Sequence, residues 1–162
     1  TYKDAITGKE KMVASTQFEA LDARRAFPCV DEPAAKATFS VTLIVPNHLE
    51  CFSNMPESKR MTLSETLVEI SFLPSPKMST YLLAFCVGEF DFVQQMTEHG
   101  GLVQVYAPRG RSTSCHYALD CAVKALDAYN DFFGINYPLP KLDMVGIPEF
   151  VSCWNMMKMV DC

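Results

Sequence analysis

The chain has 162 residues, the length of one ordinary domain. It is 49% hydrophobic and 20% charged, which excludes a disordered chain and allows a packed core. Its 14 basic and 19 acidic residues give a net charge of -5 with no basic patch, so nucleic acid is not an expected partner, and no apolar run approaches the length of a membrane span.

The 7 cysteines are Cys29, Cys51, Cys86, Cys115, Cys121, Cys153 and Cys162. Their number is odd, their spacing is irregular and no CxxC pair occurs. Several lie within apolar runs, as Cys86 does in LLAFCVGEF. This pattern reads as buried free thiols in a reducing compartment, so a cytoplasmic location is expected. The first residue is Thr1, and the sequence reads as entering in mid-domain.

Residues 1–11 are polar, with a turn at Thr7-Gly8, and read as the end of a hairpin whose partner strands are missing. The next stretch, 14–20, alternates. Thr16, Phe18 and Ala20 fall on one side, Gln17 and Glu19 on the other. A strand over these residues puts Gln17 and Glu19 on one face, roughly 7 Å apart. An acid beside a second polar side chain is suited to gripping an amine. Residues 24–33 then read as a turn-rich connection punctuated by Pro28 and Pro33. Its charges, Arg24, Arg25, Asp31 and Glu32, are expected to pair with one another or with nearby backbone.

The stretch TQFEALDARRAFPCVDEPAAKATF, from Thr16 to Phe39, resembles the zinc aminopeptidases of the aminopeptidase N and puromycin-sensitive aminopeptidase group. The family pattern is T-Q-x-E-A-x-x-A-R-R-x-F-P-C-x-D-E-P-x-x-K-A-x-F, and the match is almost unbroken. The resemblance implies that Glu19 binds the free α-amine of a peptide substrate and that Gln17 lines the first side-chain pocket. It also implies zinc in the complete enzyme and peptides with a free N-terminus as partners.

Further along, Phe39, Val41, Leu43 and Val45 alternate with Thr38, Ser40 and Thr42 as a half-buried strand ended by Pro46. Residues 49–55 read as a short strand, followed by a polar turn through Lys59. Val68, Ile70 and Phe72 mark another strand. Residues 81–93 (YLLAFCVGEFDFV) read as one long strand, central in its first, wholly apolar half. The stretch SPKMSTYLLAFCVGEFDFV resembles the same family. Gly100-Gly101 marks a turn, and residues 102–107 return as a strand. Short strands separated by turn signals predict an antiparallel β domain over residues 1–107.

After Pro108 the period changes. Ala118, Cys121, Ala122, Ala125, Leu126, Tyr129, Phe132 and Phe133 recur at three- and four-residue steps, which predicts a helix with this face buried and Asp120, Lys124 and Asp127 outside. Ser112, Thr113 or Ser114 caps its start and Gly134 its end. The predicted fold is mainly β with one long helix. By the resemblance, residues 108–162 open a thermolysin-like catalytic domain. Residues 137–150 resemble the strand that leads to the family's G-x-M-E-N motif. Here the chain continues VSCWNMMKMVDC, and the loss of similarity after Ser152 fits a splice or frame change. Glu149 precedes the place of that motif and does not replace it.

Metal-assisted peptide hydrolysis needs ligands such as the paired histidines of H-E-x-x-H and a general base. The three histidines, His48, His99 and His116, are not four residues apart. Cys115, His116 and Cys121 form an incomplete ligand set. No catalytic residue, zinc site or zinc is therefore expected in this chain, and it is expected to be inactive alone. Two further readings are a truncated, non-catalytic module that binds peptides or a partner, and an incomplete gene product. Self-association through truncated sheet edges is also expected.

Overall fold

Val68, Ile70 and Phe72 are buried while Leu67, Glu69 and Ser71 between them are not, and this alternation sets the first sheet. The computed structural model describes residues 1–4 and 6–148. They divide into two units: Ala14–Gly88, and residues 1–13 together with those from Glu89 onward.

In the first unit, β4 (Thr42–Pro46), β7 (Leu67–Phe72) and β6 (Glu57–Thr62) form an antiparallel sheet ordered β4-β7-β6. Val45, Val68, Ile70 and Phe72 bury one face together with Cys51. The predicted polar turn through Lys59 is instead the edge strand β6. All six of its residues are exposed, so no apolar alternation marked it, and its Lys59 and Arg60 discourage pairing with another chain. A second sheet, ordered β3-β8-β5, joins β3 (Ala14–Ser15), β8 (Phe85–Gly88) and β5 (Glu50–Ser53). β8 is central, as its apolar sequence predicts.

The long strand predicted over 81–93 is divided. Thr80–Leu82 forms a 3-10 turn, β8 follows, and β9 (Phe90–Met96) begins after a break at Glu89. Asn54 holds the turn by donating to the Leu82 carbonyl and accepting the Ala84 amide, both at 2.8 Å. An apolar run without alternation carries no mark of where a strand starts or stops.

In the second unit, β1 (Tyr2–Lys3) and β2 (Glu10–Lys11) form a hairpin. Asp4, Lys11 and Glu89 make an ionic chain, with Lys11 Nζ 3.0 Å from Asp4 and 2.5 Å from Glu89. β10 (Leu102–Pro108) pairs antiparallel with β9 and parallel with β11 (Lys141–Val145). Among the described residues, every ladder between two strands that both end by Pro108 is antiparallel, and the parallel ladder is the one that β10 makes with β11.

Helix α2 (Cys115–Phe133) packs on this sheet, and Gly134 ends it in the left-handed region at φ 64, which a residue without Cβ adopts at little cost. Ser114 makes no side-chain cap and donates instead to the Arg111 carbonyl. The buried stripe is Cys115, Leu119, Val123, Leu126 and Asn130, set against Val103, Val105 and Leu142. Of the predicted face, Cys121, Ala125, Tyr129, Phe132 and Phe133 are exposed. The helix carries two apolar stripes, so periodicity fixed the helix but not which stripe meets the sheet. Of the strand predicted over 137–150, β11 covers 141–145. The expectations for Glu149, Cys153, Cys162 and the remainder of 149–162 lie outside the described residues.

Candidate substrate-amine site

The site grows from the end of β3. The Thr16 amide donates to the Phe85 carbonyl at 3.1 Å, and the Thr16 hydroxyl accepts the Phe85 amide at 3.0 Å. The ladder stops there, because a side chain has taken the place of the next backbone acceptor. The strand predicted to run to Ala20 is therefore shorter, and Gln17 and Glu19 lie on the irregular segment that follows it. The alternation that motivated the strand survives only around Phe18, since Ala20 is exposed. Phe18 is 6% exposed, between an exposed Gln17 and an exposed Glu19.

Phe18 anchors this segment. Its ring meets Phe27 and Phe85 edge to face, with centroids 6.1 and 6.3 Å apart, a favoured arrangement for aromatic quadrupoles. Ala23, Met78, Leu82 and Leu83 complete the cluster. The Asp22 amide then returns to the Phe18 carbonyl at 3.0 Å, which closes the turn bearing Glu19. The Glu19–Ala20 peptide bond is cis.

A short helix, α1 (Ala23–Ala26), follows at once. Asp31 fixes it from below. This side chain is buried, and its Oδ2 accepts the Arg24 backbone amide and Nε, both at 3.2 Å. Its Oδ1 accepts the Thr80 hydroxyl at 2.5 Å. The Thr80 hydrogen bond first, and then Arg24, hold the Asp31 carboxyl below the usual range despite its burial. Ser79 Oγ adds a 2.6 Å bond to the Pro33 carbonyl. The expected charge pairing in this loop is thus partly local: Arg24 pairs with Asp31, while Arg25 pairs with Asp22 at the surface. Phe18 and Thr80 escaped the sequence reading. Phe18 reads as any apolar strand residue, and Thr80 lies 49 positions from its partner Asp31.

His48, His99 and His116 are all exposed. His99 Nε2 lies 3.1 Å from Asp131 Oδ1. Among the described residues, no three His, Cys, Asp or Glu side chains gather as a metal requires. The family's zinc therefore does not fit these residues. Among the described residues, no helix is long and apolar enough to cross a membrane.

The segment, its anchors and its sequence define an aminopeptidase-type N-terminal β region, and comparison with known proteins agrees. The family model for the peptidase M1 N-terminal domain matches residues 1–82. Aminopeptidase M1-C of Oryza sativa subsp. japonica is 51% identical over 145 residues, 90% of this chain and 16% of that protein. Puromycin-sensitive aminopeptidase of Caenorhabditis elegans is 49% identical over 150 residues, covering 92% and 16%. Endoplasmic reticulum aminopeptidase 1 of Homo sapiens is 48% identical over 155 residues, covering 93% and 16%. The chain belongs to the M1 zinc-aminopeptidase family and spans about one sixth of the length of these relatives.

Proposed function

We propose that this chain is the amine-recognition segment of an M1 aminopeptidase, an enzyme that removes N-terminal residues from peptides. Glu19 receives the free α-amine of the peptide and Gln17 lines the pocket of the first side chain. One observation carries this reading: both side chains are exposed on either side of the buried anchor Phe18, within the stretch that carries the family pattern. A carboxylate on an anchored turn is a ready partner for an ammonium group.

Alone, the chain binds amines weakly and does not hydrolyse peptides. An exposed ion pair contributes at most about 1 kcal/mol. Hydrolysis at neutral pH needs an activated water, and the described residues offer no ligand set to make one. The support for a cytoplasmic location is that Cys29, Cys51, Cys86, Cys115 and Cys121 are all free thiols.

The test is a titration followed by amide NMR. Alaninamide should shift Gln17, Glu19 and Ala20, N-acetylalaninamide should not, and Glu19→Ala should abolish the response. Equal responses to both ligands would show that the amine is not what is read. A parallel assay on alanyl and leucyl chromogenic substrates should show no turnover, with or without added zinc.

A further inference from the structure

Residues 79–85 (STYLLAF) reach three other segments of the Ala14–Gly88 unit through side-chain hydrogen bonds. At one end Ser79 and Thr80, both buried, donate to the Pro33 carbonyl at 2.6 Å and to Asp31 Oδ1 at 2.5 Å. At the other end the Phe85 amide donates to Thr16 Oγ1 at 3.0 Å. Between them the strip is gripped from the end of β5. Ser53 Oγ donates to the Ala84 carbonyl at 2.8 Å. Asn54 Nδ2 donates to the Leu82 carbonyl and Asn54 Oδ1 accepts the Ala84 amide, both at 2.8 Å. Ser53 and Phe85 form the last rung of the β5–β8 ladder, so Asn54 extends that ladder by one position with its side chain. A carboxamide suits this place because it carries both a donor and an acceptor.

We infer that Asn54 is a positioning residue for amine recognition, acting through residues 82–85, an inference that rests on the reading of Glu19 given above. The strip meets the turn bearing Glu19 at two places. Leu82, Leu83 and Phe85 pack with Phe18, the residue just before Glu19. Phe85 also holds Thr16, three residues before Glu19, through its amide and its carbonyl. Thr16 and Phe18 are thus registered on the same few residues, and Asn54 pins the backbone of those residues at two points. Each of these contacts lies inside the one unit.

Loss of the carboxamide takes away the partner of the Leu82 carbonyl and of the Ala84 amide. Backbone groups left in this way must find new partners, and the strip shifts to provide them. Close-packed side chains transmit such a shift. It passes from Leu82 and Leu83 to Phe18, and from Phe85 to Thr16. Glu19 then moves relative to Gln17, although Asn54 itself stays clear of the ligand.

The test follows alaninamide binding to the 162-residue chain by amide NMR, with N-acetylalaninamide as the control. Asn54→Ala should weaken alaninamide binding by about threefold, most of what one exposed ion pair supplies. It should also shift the amide resonances of Thr16 to Asp22 in the ligand-free chain. Asn54→Asp keeps the acceptor for the Ala84 amide, loses the donor to the Leu82 carbonyl, and decides the matter if the alanine variant does not fold. It should weaken binding too. Its added negative charge attracts an ammonium ligand, so a loss there has no electrostatic origin. Val68→Ala opens a cavity in the cluster around Ile70, which contains none of residues 79–85. It should lower stability and leave binding unchanged. Asn54 variants that bind as the wild type does would overturn the inference and leave the amine reading standing. A Val68→Ala chain that loses as much affinity would overturn it as well, because binding would then follow stability alone. A wild type that responds equally to both ligands, or to neither, would overturn the amine reading and this inference with it.

Discussion

The carboxylate of Asp31 accepts two hydrogen bonds from Arg24, one from its backbone amide and one from its Nε, each at 3.2 Å. Arg24 Nη2 returns to the Asp31 carbonyl at 2.8 Å. The loop between them is thereby closed by its own two ends, and Thr80 fastens it to the rest of its unit. Glu19 stands on the turn that immediately precedes this closure. The exposed acid is thus carried on a turn next to a closure whose Asp31 and Thr80 are buried.

Acid should open that closure. A carboxylate whose folded pKa is depressed contributes stability above its unfolded value, about 3.9, and loses it as pH falls through the folded value. Asp31 is such a group. Asp4, held low chiefly by hydrogen bonds from Thr7, is another. The melting temperature of the wild-type chain should fall on acidification below about pH 4. Asp31→Asn should melt lower at neutral pH and show a shallower acid slope, with the contribution of Asp4 remaining. An unchanged slope would mean that Asp31 keeps its charge equally in both states. Arg24→Ala should likewise lower the melting temperature.

Phe18 and Glu19 should separate anchoring from recognition. Phe18→Ala removes a ring buried against Phe27 and Phe85 and should cost about 3–5 kcal/mol. Glu19 is exposed, so Glu19→Ala should change stability by less than about 0.5 kcal/mol. Urea denaturation measures both, and the amine titration should lose its response in each. A large stability loss for Glu19→Ala would give that residue a structural role in place of a binding one.

Local periodicity made part of this legible. The alternation in 67–72 expresses contact with one apolar surface, the three-four spacing after Pro108 marks a helix but not its buried face, and β7 and α2 lie where those patterns stand. Gly134 ends α2 because the left-handed backbone there favours a residue without Cβ. Three features were not legible for identifiable reasons. β6 is exposed on both faces and so has no pattern. Thr16 ends β3 through a hydrogen bond to Phe85, 69 residues away. α2 has two apolar stripes, and only the positions of Val103 and Leu142 decide which one is buried. At the candidate site, the motif pointed to Gln17 and Glu19, but Phe18 and Thr80 come from packing across the unit.

The thiols should differ sharply in reactivity, since the thiolate is the nucleophile. Burial pushes Cys86 up to about 12 and Cys51 up to about 11. Cys121 is exposed on α2. Brief alkylation with iodoacetamide at pH 8, followed by peptide mass spectrometry, should modify Cys121 well before Cys86 or Cys51. Equal labelling of Cys86 and Cys121 in the folded chain would contradict the burial of β8.

The buried pair on β11 should behave unlike the loop closure. Lys141 Nζ donates to Asp143 Oδ2, both residues are buried, and Asp143 Oδ1 has no hydrogen-bond partner. Residues two apart on a strand share a face, so the pair follows from the ladder itself. Burial raises the Asp143 pKa, and Lys141 offsets only part of that. A raised carboxylate favours the folded state below its unfolded pKa and loses that contribution as pH rises through the folded value. Removing one partner leaves the other charge buried, so Asp143→Asn should destabilise the chain by about 3–5 kcal/mol at neutral pH. Lys141→Met should destabilise it too, but recover on mild acidification as Asp143 takes up a proton. The double replacement Lys141→Met with Asp143→Leu should regain most of the loss, because two desolvated charges give way to buried apolar side chains. Urea denaturation of the four chains at neutral and acidic pH measures each quantity. A double variant as unstable as the worse single one would mean that the pair fixes the register of β11 rather than merely tolerating its own burial.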